Sequence, residues 1–67
     1  MKQKYLLTLC KGEPEEEIVE AELTDGDVEI IKQSINGIFD AEYLITTMDG
    51  KQFNVGIIDN IETSEKG

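Results

Sequence analysis

Two seven-residue stretches place an apolar residue at every second position. In KYLLTLC (4–10) Tyr5, Leu7 and Leu9 share one parity, and in EIVEAEL (17–23) Val19, Ala21 and Leu23 do so against Glu20 and Glu22. A period of two is the pattern of a half-buried strand, because successive side chains leave opposite faces of the chain. Folded antiparallel about Pro14, the stretches set Leu9 against Val19, Leu7 against Ala21 and Tyr5 against Leu23, all on one side of a sheet. A competing reading makes PEEEIVEAEL (14–23) a helix, with Pro14 at its first position and three glutamates in its first turn. The agreement of both apolar parities favours the hairpin.

The following segment, TDGDVEIIKQSING (24–37), has a different period. Val28, Ile31 and Ile35 fall at i, i+3 and i+7, one face of a helix. Thr24 suits the N-cap, with Asp27 three residues on as its capping-box partner and further acids favoured by the positive helix end. Asn36-Gly37 supplies the stop, since glycine takes the left-handed cap conformation without steric cost.

A second hairpin is expected in YLITTMDGKQFNV (43–55). A two-residue turn on Asp49-Gly50 sets Ile45 against Asn54 and Thr46 against Phe53, which mixes apolar with polar partners. A three-residue loop, Met48-Asp49-Gly50 with Gly50 left-handed, sets Ile45 against Phe53, Tyr43 against Val55 and Ala41 against Ile57. A one-residue slip turns every side chain to the other face, so the apolar match selects the longer loop. The sum is an α+β fold with the order ββαββ: a four-stranded, mainly antiparallel sheet with one helix packed on one face. Residues 1–62 are expected to form a single small domain, and 63–67 a flexible C-terminal tail.

Composition limits the chemistry. A chain of about 60 residues buries only roughly 60% of the surface its unfolded form exposes. Such a core rarely supplies more than about 3–5 kcal/mol without a disulfide, a metal or a partner. The one cysteine, Cys10, excludes an internal disulfide, and a lone thiol suits a reducing compartment. No apolar run reaches membrane-spanning length, and the first strand is too short and too alternating for a signal-peptide core, so a cytoplasmic location is expected. Histidine, tryptophan and arginine are absent, which removes the commonest general base, the commonest metal ligand and the usual anion clamp. The string Asp25, Asp27, Glu29 is superficially similar to a calcium loop. It has Ile30 where that loop needs glycine and Asn36 where it needs a bidentate glutamate. The glycines mark turns and helix ends rather than a phosphate loop. No enzyme activity, cofactor or metal is expected.

Charge carries the functional expectation. Fifteen acidic residues against six lysines give a net charge of −9, and GEPEEEIVEAELTDGDVE (12–29) alone holds nine carboxylates and no lysine. A surface of that sign repels nucleic acid and anionic membranes, so neither is an expected direct partner. Solubility alone accounts for many charge runs. The sharper reading is recognition of a basic protein surface. Alternate residues on a strand lie about 6.8 Å apart, comparable with successive phosphates on an extended nucleic-acid strand. Glu16, Glu17, Glu20, Glu22, Asp25 and Asp27 are the acidic candidates for partner binding. Leu6, Ile18 and Leu44 are the apolar ones, on a sheet face too greasy for full solvation, beside Thr8, Cys10, Thr46 and Met48. The expectation is a small acidic non-enzymatic protein-binding module, an inhibitor or modulator of a basic partner of the nucleic-acid-mimic type that phages and other mobile elements use. The alternative is a structural module that forms a homodimer or larger homo-oligomer through the apolar face and has no regulatory target.

Overall fold

The computed structural model describes residues 2–38 and 42–64. The elements are β1 (Gln3–Leu9), β2 (Glu17–Leu23), α1 (Asp25–Ile35), β3 (Leu44–Thr46), β4 (Gln52–Asn54), a one-turn 3-10 helix (Val55–Ile57) and β5 (Ile58–Thr63). The fold is α+β with one α-helix among the described residues, and every strand pairing is antiparallel.

The expected single four-stranded sheet is corrected: there is a three-stranded sheet in the order β2-β1-β5 and a separate pair, β3-β4. The place beside β1 belongs to β5, an element the alternation rule conceals. A register shift between Thr8 and Leu9 sets Leu9 opposite Ile58 and Leu7 opposite Ile61, leaving Asp59 as the extra residue. This bulge puts two isoleucines three positions apart on the same face, so IDNIET does not alternate although it is a strand. The strand is preceded by a tight turn in which the Asn54 side chain accepts from the Gly56 amide at 2.7 Å.

The first hairpin forms as strands, not as the competing helix, but its register is corrected. Leu7 faces Val19 and Tyr5 faces Ala21, while Leu9 faces Glu17, a displacement of two residues from the expected pairing. A two-residue displacement preserves parity, so hydropathy cannot detect it. The connection decides it. Cys10 lies just past β1 rather than within it, in the left-handed region at φ 53°, followed by Gly12 at φ 84°. The Glu13 amide donates to the Cys10 carbonyl at 3.1 Å, and the Glu16 amide to that of Glu13 at 2.9 Å. This compact loop fixes where β2 begins.

The helix begins as expected. The Thr24 hydroxyl accepts from the Asp27 amide and the Asp27 carboxylate accepts from the Thr24 amide, both at 3.1 Å. It ends in a Schellman motif: Gly37 is left-handed at φ 75°, with its amide on the Ser34 carbonyl and the Ile38 amide on that of Gln33. Val28 and Ile31 are buried, whereas Ile35 sits at the rim, 37% exposed. The second hairpin has the expected register, with Ile45 opposite Phe53 and Gly50 left-handed at φ 90°. Beyond the ladder the Val55 amide donates to the Tyr43 carbonyl at 2.9 Å. The expected Ala41–Ile57 pairing lies outside the described residues, as does 65–67 of the expected tail; Thr63 closes β5.

The core is one cluster: Leu7, Leu9, Ala21 and Leu23 from the first hairpin, Val28 and Ile31 from α1, Ile45 and Phe53 from the second hairpin, then Val55 and Ile58. The helix packs on the inner side, against β5, the 3-10 turn and β2. Two contacts tie the small sheet to the large one. The Met48 amide donates to the Glu20 carbonyl at 3.1 Å, and Lys51 Nζ meets the Glu17 carboxylate at 2.8 Å. The tip of the second hairpin thereby sits against the outer edge of β2.

Candidate interaction surface

The three-stranded sheet turns Leu7, Leu9, Ala21 and Leu23 inward, so its opposite parity forms the outer face. The pairings arrange that face in rows. Glu22 stands beside Lys4, Glu20 and Glu62 flank Leu6, and Ile18 and Asn60 flank Thr8. Leu6 is half-buried between two carboxylates, and Ile18 is 63% exposed. An apolar residue in an anionic frame is therefore built by register alone.

The candidate residues do not all occupy this face. Glu20 and Glu22 do, and the Glu20 carboxylate also accepts from the Ser64 hydroxyl at 3.1 Å. Glu16 lies in the loop before β2, where its carboxylate accepts from the Gly12 amide at 3.2 Å. Glu17 opens β2 and is held by Lys51. Asp25 is exposed in the first turn of α1, away from the sheet rows. Asp27 is half-buried and engaged: besides its capping bonds, it accepts from the Tyr43 hydroxyl at 2.6 Å. Ile18 and Met48 line a groove between β2 and the β3-β4 turn. Leu44, 55% exposed on β3, does not line it.

Sequence reasoning missed Glu62 and Asp59 because it missed β5. Asp59 accepts from the Lys11 amide at 2.7 Å, which ties the bulge to the first loop. The signal that could have found the strand is the pair Ile58 and Ile61, whose spacing of three fits a bulged strand with one apolar face.

The titration of three groups follows from this arrangement. Burial pushes the Cys10 thiol up, and the carboxylates of Glu13, Glu15, Asp59 and Glu17 push it further, so it stays protonated at neutral pH. For Asp27, burial opposes ionisation, but the hydrogen bonds from Tyr43 and Thr24 outweigh it and hold its carboxyl below the usual range. Tyr43 is raised, first by donating to Asp27, then by burial and by the Asp27 charge. Among the described residues no group of three or more His, Cys, Asp and Glu is placed to hold a metal ion. No helix among them is long and apolar enough to cross a membrane. The chain matches no protein-family model, no curated protein and no solved structure.

Proposed function

We propose that this chain is a non-enzymatic binding module whose acidic sheet face docks on a basic protein surface and inhibits or modulates its owner, by occupying a groove shaped for nucleic acid. The observation that carries this reading is the row Glu20–Leu6–Glu62, with Glu22 adjacent, on the outer face of the three-stranded sheet, away from the helix. A charged frame around an apolar centre is the usual layout of a partner-binding patch. Complementary charge steers such encounters and makes them sensitive to ionic strength.

The test is capture of a partner from the source cell by the wild-type chain and by a variant with Glu16, Glu17, Glu20 and Glu22 changed to Gln. The captured protein is then purified and the pair reconstituted. The expected result is a basic protein that the variant does not retain, that releases between low and moderate salt, and that nucleic acid displaces. A partner held equally by the variant and indifferent to salt would refute the reading. The exposed Ile18, Leu44 and Met48 favour a second reading, a homo-oligomer joined through apolar surface. Light scattering that finds a stable dimer, lost on changing Ile18 to Ser, would support it over the first.

A further inference from the structure

The two edges of the three-stranded sheet differ. The outer edge of β2 is partly occupied, with the Met48 amide on the Glu20 carbonyl and Lys51 paired with Glu17. No described strand pairs with the outer edge of β5, and backbone geometry says which groups are presented there. The Glu20 carbonyl points away from β1, toward Met48. Leu6, which opposes Glu20, therefore turns its own N–H and C=O toward β5 and bonds with Glu62. The bonds from the Ser64 amide to the Lys4 carbonyl and from the Cys10 amide to the Ile57 carbonyl obey the same parity. The main-chain groups of Ile61 and Thr63 must then point outward, and no hydrogen bond among the described residues satisfies them.

Native edge strands are normally blunted by charge, lysine above all, by proline, by a bulge or by a covering segment. β5 has its bulge near its start, at Asp59, and beyond it the strand contains neither lysine nor proline; its one charge there is Glu62, which a basic partner would match rather than avoid. From the open main-chain groups and the acidic flank we infer that β5 is a docking edge that accepts an extended segment of a partner protein by strand addition, and that this segment alternates basic and apolar residues. The inference rests on the acidic-docking reading and specifies how the partner is held. The alternation follows from the pleat. A partner residue opposite Glu62 projects onto the outer face, beside Glu62 and Glu20, where a lysine or arginine is complementary. A partner residue opposite Ile61 projects inward, beside the half-buried Ile61, where an apolar side chain continues the core.

The test uses the whole chain and two acetylated peptides of identical composition, one alternating lysine and valine and the other with the lysines and valines in separate blocks. The expected result is tighter binding of the alternating peptide, with slowed hydrogen exchange at the Ile61 and Thr63 amides. Thr63→Pro removes an outward N–H and leaves every bond to β1 in place, as proline does on a free edge. It is expected to weaken the alternating peptide about tenfold, the cost of one unmade hydrogen bond. Should that variant unfold, the exchange measurement on the wild type still decides the matter. Equal binding of the two peptides without protection at Ile61 and Thr63 overturns the inference, and so does a chain that protects these amides by pairing with itself. If the peptides bind, lose affinity on Glu20→Gln and Glu22→Gln, and ignore Thr63→Pro, the acidic-surface reading stands and the edge does not. If no basic peptide binds at low salt, both fall.

Discussion

Changing Tyr43 to Phe deletes one oxygen and one short hydrogen bond. That bond, 2.6 Å from the Tyr43 hydroxyl to Asp27 Oδ1, ties the first turn of α1 to the segment entering β3. The other carboxylate oxygen remains on the Thr24 amide, so the capping box survives. A hydrogen bond to a charged group contributes roughly 1.5–3 kcal/mol net. Asp27 is only half-buried, and water can reach the vacated oxygen, so the expected loss is about 1–2 kcal/mol. In a domain of this size about 1 kcal/mol moves the melting midpoint by roughly 4–8 °C. The variant should therefore melt roughly 5–15 °C lower, with an unchanged dependence of free energy on urea.

The pH dependence separates this bond from a mere packing defect. Asp27 has a lowered folded-state pKa, so its contribution is present above the carboxyl's unfolded value of about 3.9 and is lost as pH falls through the folded one. Tyr43 has a raised pKa. Its contribution is present below the phenol's unfolded value of about 10 and is lost as pH rises through the folded one. The stability gap between wild type and Tyr43→Phe should be widest near neutrality and close toward both extremes. The remaining carboxylates titrate alike in both proteins and cancel in the difference. Urea titrations across that range measure the gap. A gap that stays flat, or no gap at neutral pH, would refute the reasoning. Asp27→Asn should follow the same pattern, because its acid supports the helix start.

Two further outcomes are expected. Cys10 should react with iodoacetamide more slowly than a free thiol, with a pH profile displaced upward and a rate that rises with salt as the surrounding carboxylates are screened; the rate of an ordinary exposed cysteine would contradict the local field. Gly50→Ala should cost about 1 kcal/mol, read as a lower urea midpoint. An added Cβ at that position meets no atom within 4 Å, so the whole effect comes from φ 90°, and a neutral substitution would remove the left-handed loop from the account.

The elements differ in how plainly the sequence announces them, and the differences have physical causes. The capping box and the glycine stop are local, since the groups that bond lie within a few residues of each other. The second hairpin was legible because its wrong register mixes apolar with polar partners, as Ile45 against Asn54 would. The first hairpin was half legible. Its faces follow from parity, but a displacement of two residues leaves every face intact, and only the left-handed Cys10 in the loop settles it. The strand β5 was hidden by its own bulge, and with it went Glu62 and the open edge. A conformation chosen by long-range pairing leaves no local period to read.

The acidic run that dominates the sequence turns out to be several structural roles rather than one. Asp27 is held within the fold by Thr24 and Tyr43. Glu16 braces the first loop through the Gly12 amide, and Glu17 reaches across to Lys51. Once these are set aside, the negative charge left facing outward on the sheet belongs to Glu20, Glu22 and Glu62, with Lys4 beside Glu22. Lys51–Glu17 is the one ion pair among the described residues, and on the face itself Lys4, opposite Glu22, stands against three carboxylates. Like charges spread over one small sheet repel, and the free molecule carries that repulsion as a standing destabilisation. Salt or a cationic partner relieves it, but only a partner also covers Leu6 and bonds to the open edge of β5. Charge and unpaired backbone therefore favour the same occupant, an extended basic segment, and neither the acids nor the edge alone would specify it.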